Sequence, residues 1–590
     1  MAALALVAGL QVAAIHRQSL TYDEPYHLLA GYQALYRGEN LVNYEHPPLV
    51  KMAAALPLLA APVAGAGPLV ERTPVEEAYP AAQFVFADPA RERRIRLASR
   101  SMLLLLVAAP LLAAAWALGR RLAPAGTPPA RAGLVLTLML GLSSAALPHL
   151  ATLQTDAALA LGTVLTLLGG IAYLRRPDAR RAALLGLALG LVMAVKLSGL
   201  LLLPTAAAAV ALAPRLPLPR RLLHLALTLV AALALLQATY LPANRDHDPA
   251  RGRAALRAYA QDRATLHTGG RLEPRLPALL ALERRSPGLA QHATGVLGVG
   301  AQDAQGVYNS YAFGEVTARG RWWYFPAVFL IKTPLPILVA LLAAVALATR
   351  TAWRHRPPAA AGADPSLAAE PPADPVRRRA IFLVALTAAV YLTTAAASTY
   401  NLGLRHLLPV LPLLYLPAAL WTAATARRTA IVLTLLAAEA LALAPLWMSA
   451  TNTWWLGDRD PARFALGDTN LEYHQNFLAL AGELERRGIG EIGVAMPATT
   501  PAELAAYLPG ARLVAPGAAV APGWYALSVT VEQLAPALLA TDPADLFRPE
   551  NHRAAAREWS ALAAEIAAGE DHGYAAGTFR LYRVAERPPL

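Results

Sequence analysis

The feature that most limits what this chain can fold into is the recurrence of long apolar runs. They lie near residues 1–15, 97–118, 133–150, 156–174, 182–195, 198–213, 222–240, 326–348, 379–397, 405–424 and 429–449. About 20 consecutive apolar residues carry a helix across the hydrocarbon core of a bilayer, and a chain that repeats such runs cannot hide them all in a water-soluble core. Composition agrees: 56% of the 590 residues are hydrophobic and 15% are charged, the balance of a polytopic α-helical membrane protein with about 11 transmembrane helices. The first run is short, and reads either as a truncated span or as a signal sequence, cleaved or uncleaved.

Arginines orient the spans. With Met1 inside, the segments on the cytoplasmic side carry Arg120, Arg121, Arg131, Arg175, Arg176, Arg180, Arg181, Arg215, Arg220, Arg221, Arg350, Arg354, Arg356, Arg377, Arg378, Arg379, Arg427 and Arg428, with few acids among them. This is the positive-inside pattern. It accounts for the formal charge of +13 without a nucleic-acid partner, since no basic stripe is interleaved with exposed aromatics. The chain has no cysteine, so thiolate chemistry, disulfides and Cys-ligated metals are excluded. Counting the apolar stretch 47–70 as a further span would reverse every later arginine, so it is read as a re-entrant or surface-lying segment. The "RERRIR" run at 91–96 then lies outside, against the rule.

The domain plan that follows is a membrane domain over 1–449, with outer loops at 16–96 and 241–325, and an extracytoplasmic α/β domain over 450–590. In the tail, "EIGVAMP" and "GWYALSV" have strand character and "HQNFLALAGELERRG" helix character. The stretch "RPPAAAGADPSLAAEPPADP" is a Pro/Ala-rich cytoplasmic linker of the kind that stays disordered. No repeat of fixed period is apparent.

Chemistry-bearing residues concentrate at one membrane face. The first outer loop holds Asp23, Glu24, Glu45, His46 and Lys51 within "LTYDEPYHLLAGYQALYRGENLVNYEHPPLVK". Ionisable groups at such depth are costly unless used or paired. "DEP" also suits the N-cap of a short helix with Pro at its first position, but capping uses one carboxylate and leaves the other. Only three lysines occur, Lys51, Lys196 and Lys332, all at or near outer ends of apolar segments. Lys196, in a tight connection between spans, suits a phosphate as a point charge, or else snorkels to the interface. Asp156 opens a span on the same side and either caps it or faces an aqueous cavity. Arg405 and His406 open another. Together these groups offer acids for proton transfer or a metal, and cations for a phosphate.

In order and placement, these motifs resemble the lipid-carrier-dependent glycosyltransferases of GT-C fold, in the protein O-mannosyltransferase and lipid A aminoarabinose transferase group. "TYDEPYH" looks like that group's acidic motif in the first outer loop, and "NYEHPPLVK" is similar to its His-Pro-Pro-Leu-Gly-Lys segment, with Val50 where glycine is usual. "QTDAAL", "GLVMAVKLSGLLLLP" and "LRHLLPVLP" resemble its acidic, lysine-bearing and basic-Leu-Pro segments. "YNSYAFGEVTARGRWWYFPAVFLIKTPLPIL" and "LGDTNLEYHQNFLAL" look like a bacterial branch, so the likeness spans most of 20–480.

The resemblance implies a sugar donor linked through phosphate to a polyprenol, a lipid, glycan or protein acceptor on the outer face, and inversion at the anomeric carbon. Asp23 would be the general base, with Glu24 assisting or contacting the acceptor. Lys196, Arg405 and His406 would hold the donor phosphate, and His46, Asp156, Glu45 and Lys51 would line the pocket. A divalent cation stays open, with Asp156, His46 and Glu45 as candidate ligands. A phosphate leaving group needs no general acid, so one base suffices. The large β-rich domain that eukaryotic mannosyltransferases carry in an outer loop has no room here. The expected localisation is the cell membrane, multi-pass, with the site facing the periplasm or exterior. The alternatives are a transporter or flippase of a lipid-linked sugar, which commonly shows internal symmetry, and a surface-anchored binding protein, for which eleven spans are excessive.

Overall fold

A computed structural model describes residues 2–60, 63, 78–150, 152–264, 266–354, 374–459 and 465–586. Each of the eleven apolar runs contains helix, because leucine- and alanine-rich segments have high helix propensity and must satisfy their backbone groups internally. Five helices are long and apolar enough to cross a membrane: Pro89–Leu122, Thr155–Arg175, Leu218–Tyr240, Pro375–Ala397 and Leu404–Ala423. A sixth is reached if Tyr324–Lys332 and Leu335–Thr351, bent by 115° at their junction, count as one broken span. Among the described residues, then, five or six of the about eleven expected spans have full crossing length by length and composition. Helices Ala2–Arg17, Pro129–Leu142, Ala179–Val195 and Ala426–Ala442 fall short of that length, and the 198–213 run begins as a 3-10 turn, Leu197–Leu202, before its helix Leu203–Ala211. The bend at Thr333 follows from Pro334, which keeps the residue before it out of helical geometry.

Thr155–Arg175 is the central helix, with 83% of its apolar window buried in protein, whereas Leu218–Tyr240 is peripheral at 22%. At the arginine-rich end, Arg131 donates to the carbonyls of Ala423 and Ala424, and Arg377 to that of Leu122. Asp23, Asp156, Lys196 and Arg405 stand at the opposite helix ends.

The first loop forms a helix, Glu24–Tyr36, packed on a second, Pro48–Ala55. Their contact is backbone-close: a Cβ on Gly31 would sit 2.0 Å from the Lys51 carbonyl oxygen. A short turn, Pro57–Ala60, follows. The rest of the 47–70 stretch is largely outside the described residues, as is the linker 355–373. The exception at 91–96 has a local cause. Arg96 is buried against Glu92 (2.6 Å) and donates to the Ile15 and His16 carbonyls, so it ties elements together instead of decorating a loop.

In the loop 241–325, helices Pro249–Gln261, Leu276–Glu283 and Pro287–Gln305 precede a hairpin of β1 (Ser310–Ala312) and β2 (Glu315–Thr317). The tail has a mixed five-stranded sheet of order β4-β3-β5-β7-β6: β3 (Ile492–Ala495), β4 (Ala511–Leu513), β5 (Gly523–Ser528), β6 (Glu570–Ala575) and β7 (Phe579–Val584). β3 is parallel to β4 and β5, and β7 is antiparallel to β5 and β6. Strands β3 and β5 and the helix Phe477–Arg486 stand where the sequence places strand and helix character. The tail is bound to the first loop: Tyr507 Oη accepts from the Leu20 amide (2.9 Å) and donates to Glu92 (2.8 Å), while Ser19 Oγ donates to the His474 carbonyl and accepts from the Phe477 amide.

Candidate active site

Two ion pairs define the site. Asp23 is the N-cap residue of Glu24–Tyr36, yet its side chain makes no capping bond. Its Oδ2 accepts from Arg405 Nη1 at 2.7 Å across 382 residues of chain, and the same Nη1 lies 2.9 Å from Tyr473 Oη. Burial alone would raise the Asp23 carboxyl, but Arg405, His27 and the hydrogen bonds from Tyr473 and Arg405 outweigh it and hold it below the usual carboxylate range. Asp156, at the buried start of the central helix, accepts from Lys196 Nζ at 2.5 Å. The pairs are neighbours: Arg405 and His406 both act electrostatically on Asp156.

Two ring and guanidinium nitrogens beside these pairs keep unused capacity. Arg405 Nε and His406 Nε2 are buried and have no hydrogen-bond partner among the described residues, which native structures seldom leave so unless a ligand or water completes them. Gly403 sets this geometry. Its φ of +119° suits glycine alone, and a Cβ there would lie 2.1 Å from Thr469 Oγ1. The next amide, Leu404 N, donates to Asn470 Oδ1 at 2.9 Å, tying the start of the basic turn to the tail segment.

The other expected site residues divide. His46 Nδ1 is 3.3 Å from Thr155 Oγ1, beside Asp156, and its ring meets His27 edge-on at 4.6 Å. Burial, with the nearby cations, keeps both imidazoles neutral at pH 7, His27 at about 4 and His46 well below its ordinary value. Glu45 accepts from Gln302 Nε2 at 2.8 Å, and Gln302 accepts from Tyr400 at 2.7 Å. Burial raises the Glu45 carboxyl.

Glu24 departs from its expected contact with an acceptor. It is fully buried, bidentate to Arg100 (2.6 and 2.9 Å), and also accepts from the Leu153 and Thr21 amides (2.8 and 2.6 Å). Burial opposes its charge, but Arg100 and these amides keep its pKa below the ordinary value. Lys51 likewise leaves the pocket wall: it is buried and donates to the Asn43 carbonyl at 2.8 Å, holding the turn that carries Glu45 and His46. Lys332 donates to the Met448 and Asn470 carbonyls. Among the described residues no three His, Asp or Glu side chains are grouped to hold a metal ion. Asp156, His46 and Glu45 are instead engaged by Lys196, Thr155 and Gln302 respectively.

Sequence reasoning missed Tyr473, Asp468 and His474, all on the tail segment that covers Asp23. Asp468 and His474 both have left-handed backbone, φ 55° and 68°, a conformation that non-glycine residues hold only where their surroundings enforce it. Burial raises the Asp468 carboxyl to about 6, against the attraction of Arg405. On His474, burial is outweighed by Glu503 at 2.8 Å, and the imidazole is raised. Their sequence signals were the density of polar groups in "LGDTNLEYHQNF", some 16 residues past the last apolar run, and the likeness of that segment to a bacterial branch, neither of which names single residues.

The fold and site together define a multi-helix, membrane-type protein with a charge-lined centre at one end of its helices, covered by a mixed-sheet tail. No protein-family model matches the chain, and no curated protein matches it. Among solved structures it is similar to the crystal structure of ArnT from Cupriavidus metallidurans bound to undecaprenyl phosphate, at 14% identity and a TM-score of 0.42, covering 90% of this chain and 94% of that one. It is also similar to the crystal structure of ArnT from Cupriavidus metallidurans in the apo state, at 14% identity and a TM-score of 0.31, covering 98% of this chain and 96% of that one.

Proposed function

We propose that this chain is an inverting, membrane-embedded glycosyltransferase of GT-C type that moves a sugar from a polyprenyl-phosphate donor to an acceptor hydroxyl on the outer face of the cell membrane. The observation that carries the reading is the meeting of Asp23–Arg405 with Asp156–Lys196 at one helix end, with Arg405 Nε and His406 Nε2 unpartnered beside them. The motif resemblance supplies the reaction class.

In this reading Asp156 fixes the Lys196 ammonium, and Lys196, Arg405 and His406 receive the donor phosphate. A phosphate competing for the Arg405 guanidinium loosens its hold on Asp23, whose basicity rises toward that of an ordinary carboxylate. Asp23 then takes the acceptor hydroxyl proton as the acceptor oxygen bonds to the anomeric carbon. The carbon–oxygen bond to phosphate breaks, its electron pair stays on the leaving polyprenyl phosphate, and the cations stabilise that charge. Asp23 and the donor phosphate thus compete for one guanidinium.

Asp23→Asn tests the reading. Transfer from a polyprenyl-phosphate sugar to extracted cell acceptors, followed by mass spectrometry, is expected to fall by about 10² to 10⁴-fold, with undecaprenyl phosphate binding retained. A normal rate removes Asp23 from its role. Movement of lipid-linked sugar between liposome leaflets without transfer overturns the enzyme reading in favour of a flippase.

A further inference from the structure

Part of the loop 241–325 returns to the depth of the membrane surface. The span Leu218–Tyr240 has Arg220 and Arg221 at one end and an open apolar flank on which Val230 and Leu233 are 64% and 52% exposed. Gln237 lies one turn below the opposite end, about 24 Å along the helix from Arg221. In a hydrocarbon core about 30 Å thick, that is close to the far interface. Ser286 Oγ donates to Gln237 Oε1 at 2.9 Å, and a Cβ on Gly288 would lie 2.4 Å from that of Tyr240. These contacts fix the depth of the helix Leu276–Glu283, which ends just before Ser286.

That helix, "LPALLALE", is apolar up to its last residue. Leu279 and Glu283 are buried on its inner side, whereas Pro277, Ala278 and Ala281 are exposed on its outer side. An apolar helix face left open at head-group depth has the character of an interfacial segment. Four exposed arginines bracket it, Arg271 and Arg275 before and Arg284 and Arg285 after. None has an acidic partner among the described residues, because both acids of the stretch are committed elsewhere: Glu273 to Arg263 at 3.0 Å, and Glu283 to His247 at 2.8 Å and Arg253 at 3.8 Å. Arg275 donates to the Arg271 carbonyl, which leaves its charge uncancelled.

Arginine suits this position for two reasons. Its aliphatic arm lies along apolar surface while its head reaches outward, and its planar fork matches a phosphate. A zwitterionic lipid brings an ammonium that opposes four such heads, and an anionic lipid does not. We infer that Arg271, Arg275, Arg284 and Arg285 form a collar that binds anionic glycerophospholipid of the outer leaflet, phosphatidylglycerol in its simplest form, with the open face of Leu276–Glu283 against the acyl chains. The inference goes beyond the transfer reaction: it stands on the depth set by Leu218–Tyr240, whatever chemistry the site performs. The collar lies at the root of Pro287–Gln305, the helix that brings Gln302 to Glu45.

The test uses the absence of cysteine. Ala281→Cys is labelled with bimane, and the full chain is placed in phosphatidylcholine nanodiscs containing a minor fraction of brominated lipid, whose bromines quench a neighbouring fluorophore. Brominated phosphatidylglycerol is expected to match the quenching of at least about 5-fold more brominated phosphatidylcholine, a preference that shrinks as salt is added. It is expected to vanish in Arg271→Gln/Arg275→Gln/Arg284→Gln/Arg285→Gln, which alters exposed side chains only. Leu233→Cys, on the lipid-facing flank of the span, is the control that both lipids quench. Quenching of that control but not of the Ala281→Cys label overturns the interfacial position of the helix. Equal quenching by the two lipids, or a preference that survives the four substitutions, overturns the collar. A preference abolished by inorganic phosphate at constant ionic strength assigns the arginines to soluble phosphate and overturns the lipid assignment.

Discussion

Adjacent carboxylates at residues 23 and 24 have opposite fates, and the reason is what each meets in space. Glu24 meets Arg100 and two backbone amides in a fully buried setting, whereas Asp23 stays partly exposed beside a guanidinium with capacity to spare. Removing one partner of a buried pair strands the other charge, so Glu24→Gln is expected to destabilise the protein by about 3–5 kcal/mol, read as a lower melting temperature in detergent. Asp468 gives a pH signature of the opposite sign to most carboxylates. Its folded pKa of about 6 exceeds the ordinary 3.8, with Arg405 favouring its charge and Asp23 opposing it. Between those values the folded state holds a proton that the unfolded chain has released, so this group's contribution falls as pH rises and the penalty is complete above about pH 6. Asp468→Asn is therefore expected to raise the melting temperature at pH 7.5 more than at pH 4.5. A gain that is equal at both values removes the raised pKa. The rarity of lysine pointed to Lys196, but the same signal also picked Lys51 and Lys332, which serve backbone carbonyls. Nothing local to a lysine tells a carbonyl partner from a carboxylate.

At the scale of elements, Asp23 is held at the start of the short helix Glu24–Tyr36, and Arg405 on the irregular turn that opens the span Leu404–Ala423. Arg405 and His406 ride on a 3-10 turn, Leu404–Val410, entered through a glycine in a conformation closed to other residues. Gly403→Ala is expected to shift that turn against Thr469 and weaken undecaprenyl phosphate binding, at a backbone strain of about 1–3 kcal/mol. Binding at the wild-type level would show that the turn tolerates the change. Helix positions were legible because apolar composition alone sets them. Their interruptions were less so: the Tyr324–Lys332 and Leu335–Thr351 pair reads as one run of hydropathy, and only Pro334 hints at its 115° bend.

At the scale of the molecule, the tail completes the site, contributing Tyr473 to the Asp23–Arg405 pair. The absence of cysteine makes the proposed orientation directly testable. In intact cells a membrane-impermeant maleimide is expected to label Trp322→Cys and not Arg120→Cys, and the reverse pattern would invert the topology and place the site inside. By itself the sequence determined where helices form, which residue types gather near their ends, and which ends carry the arginines, since each of these depends on composition along the chain. Only the tertiary structure decided that Asp23 pairs with Arg405 across 382 residues, that Glu24 is sealed against Arg100, and that the tail closes over both, because a charge chooses its partner by distance and desolvation, and neither is written locally.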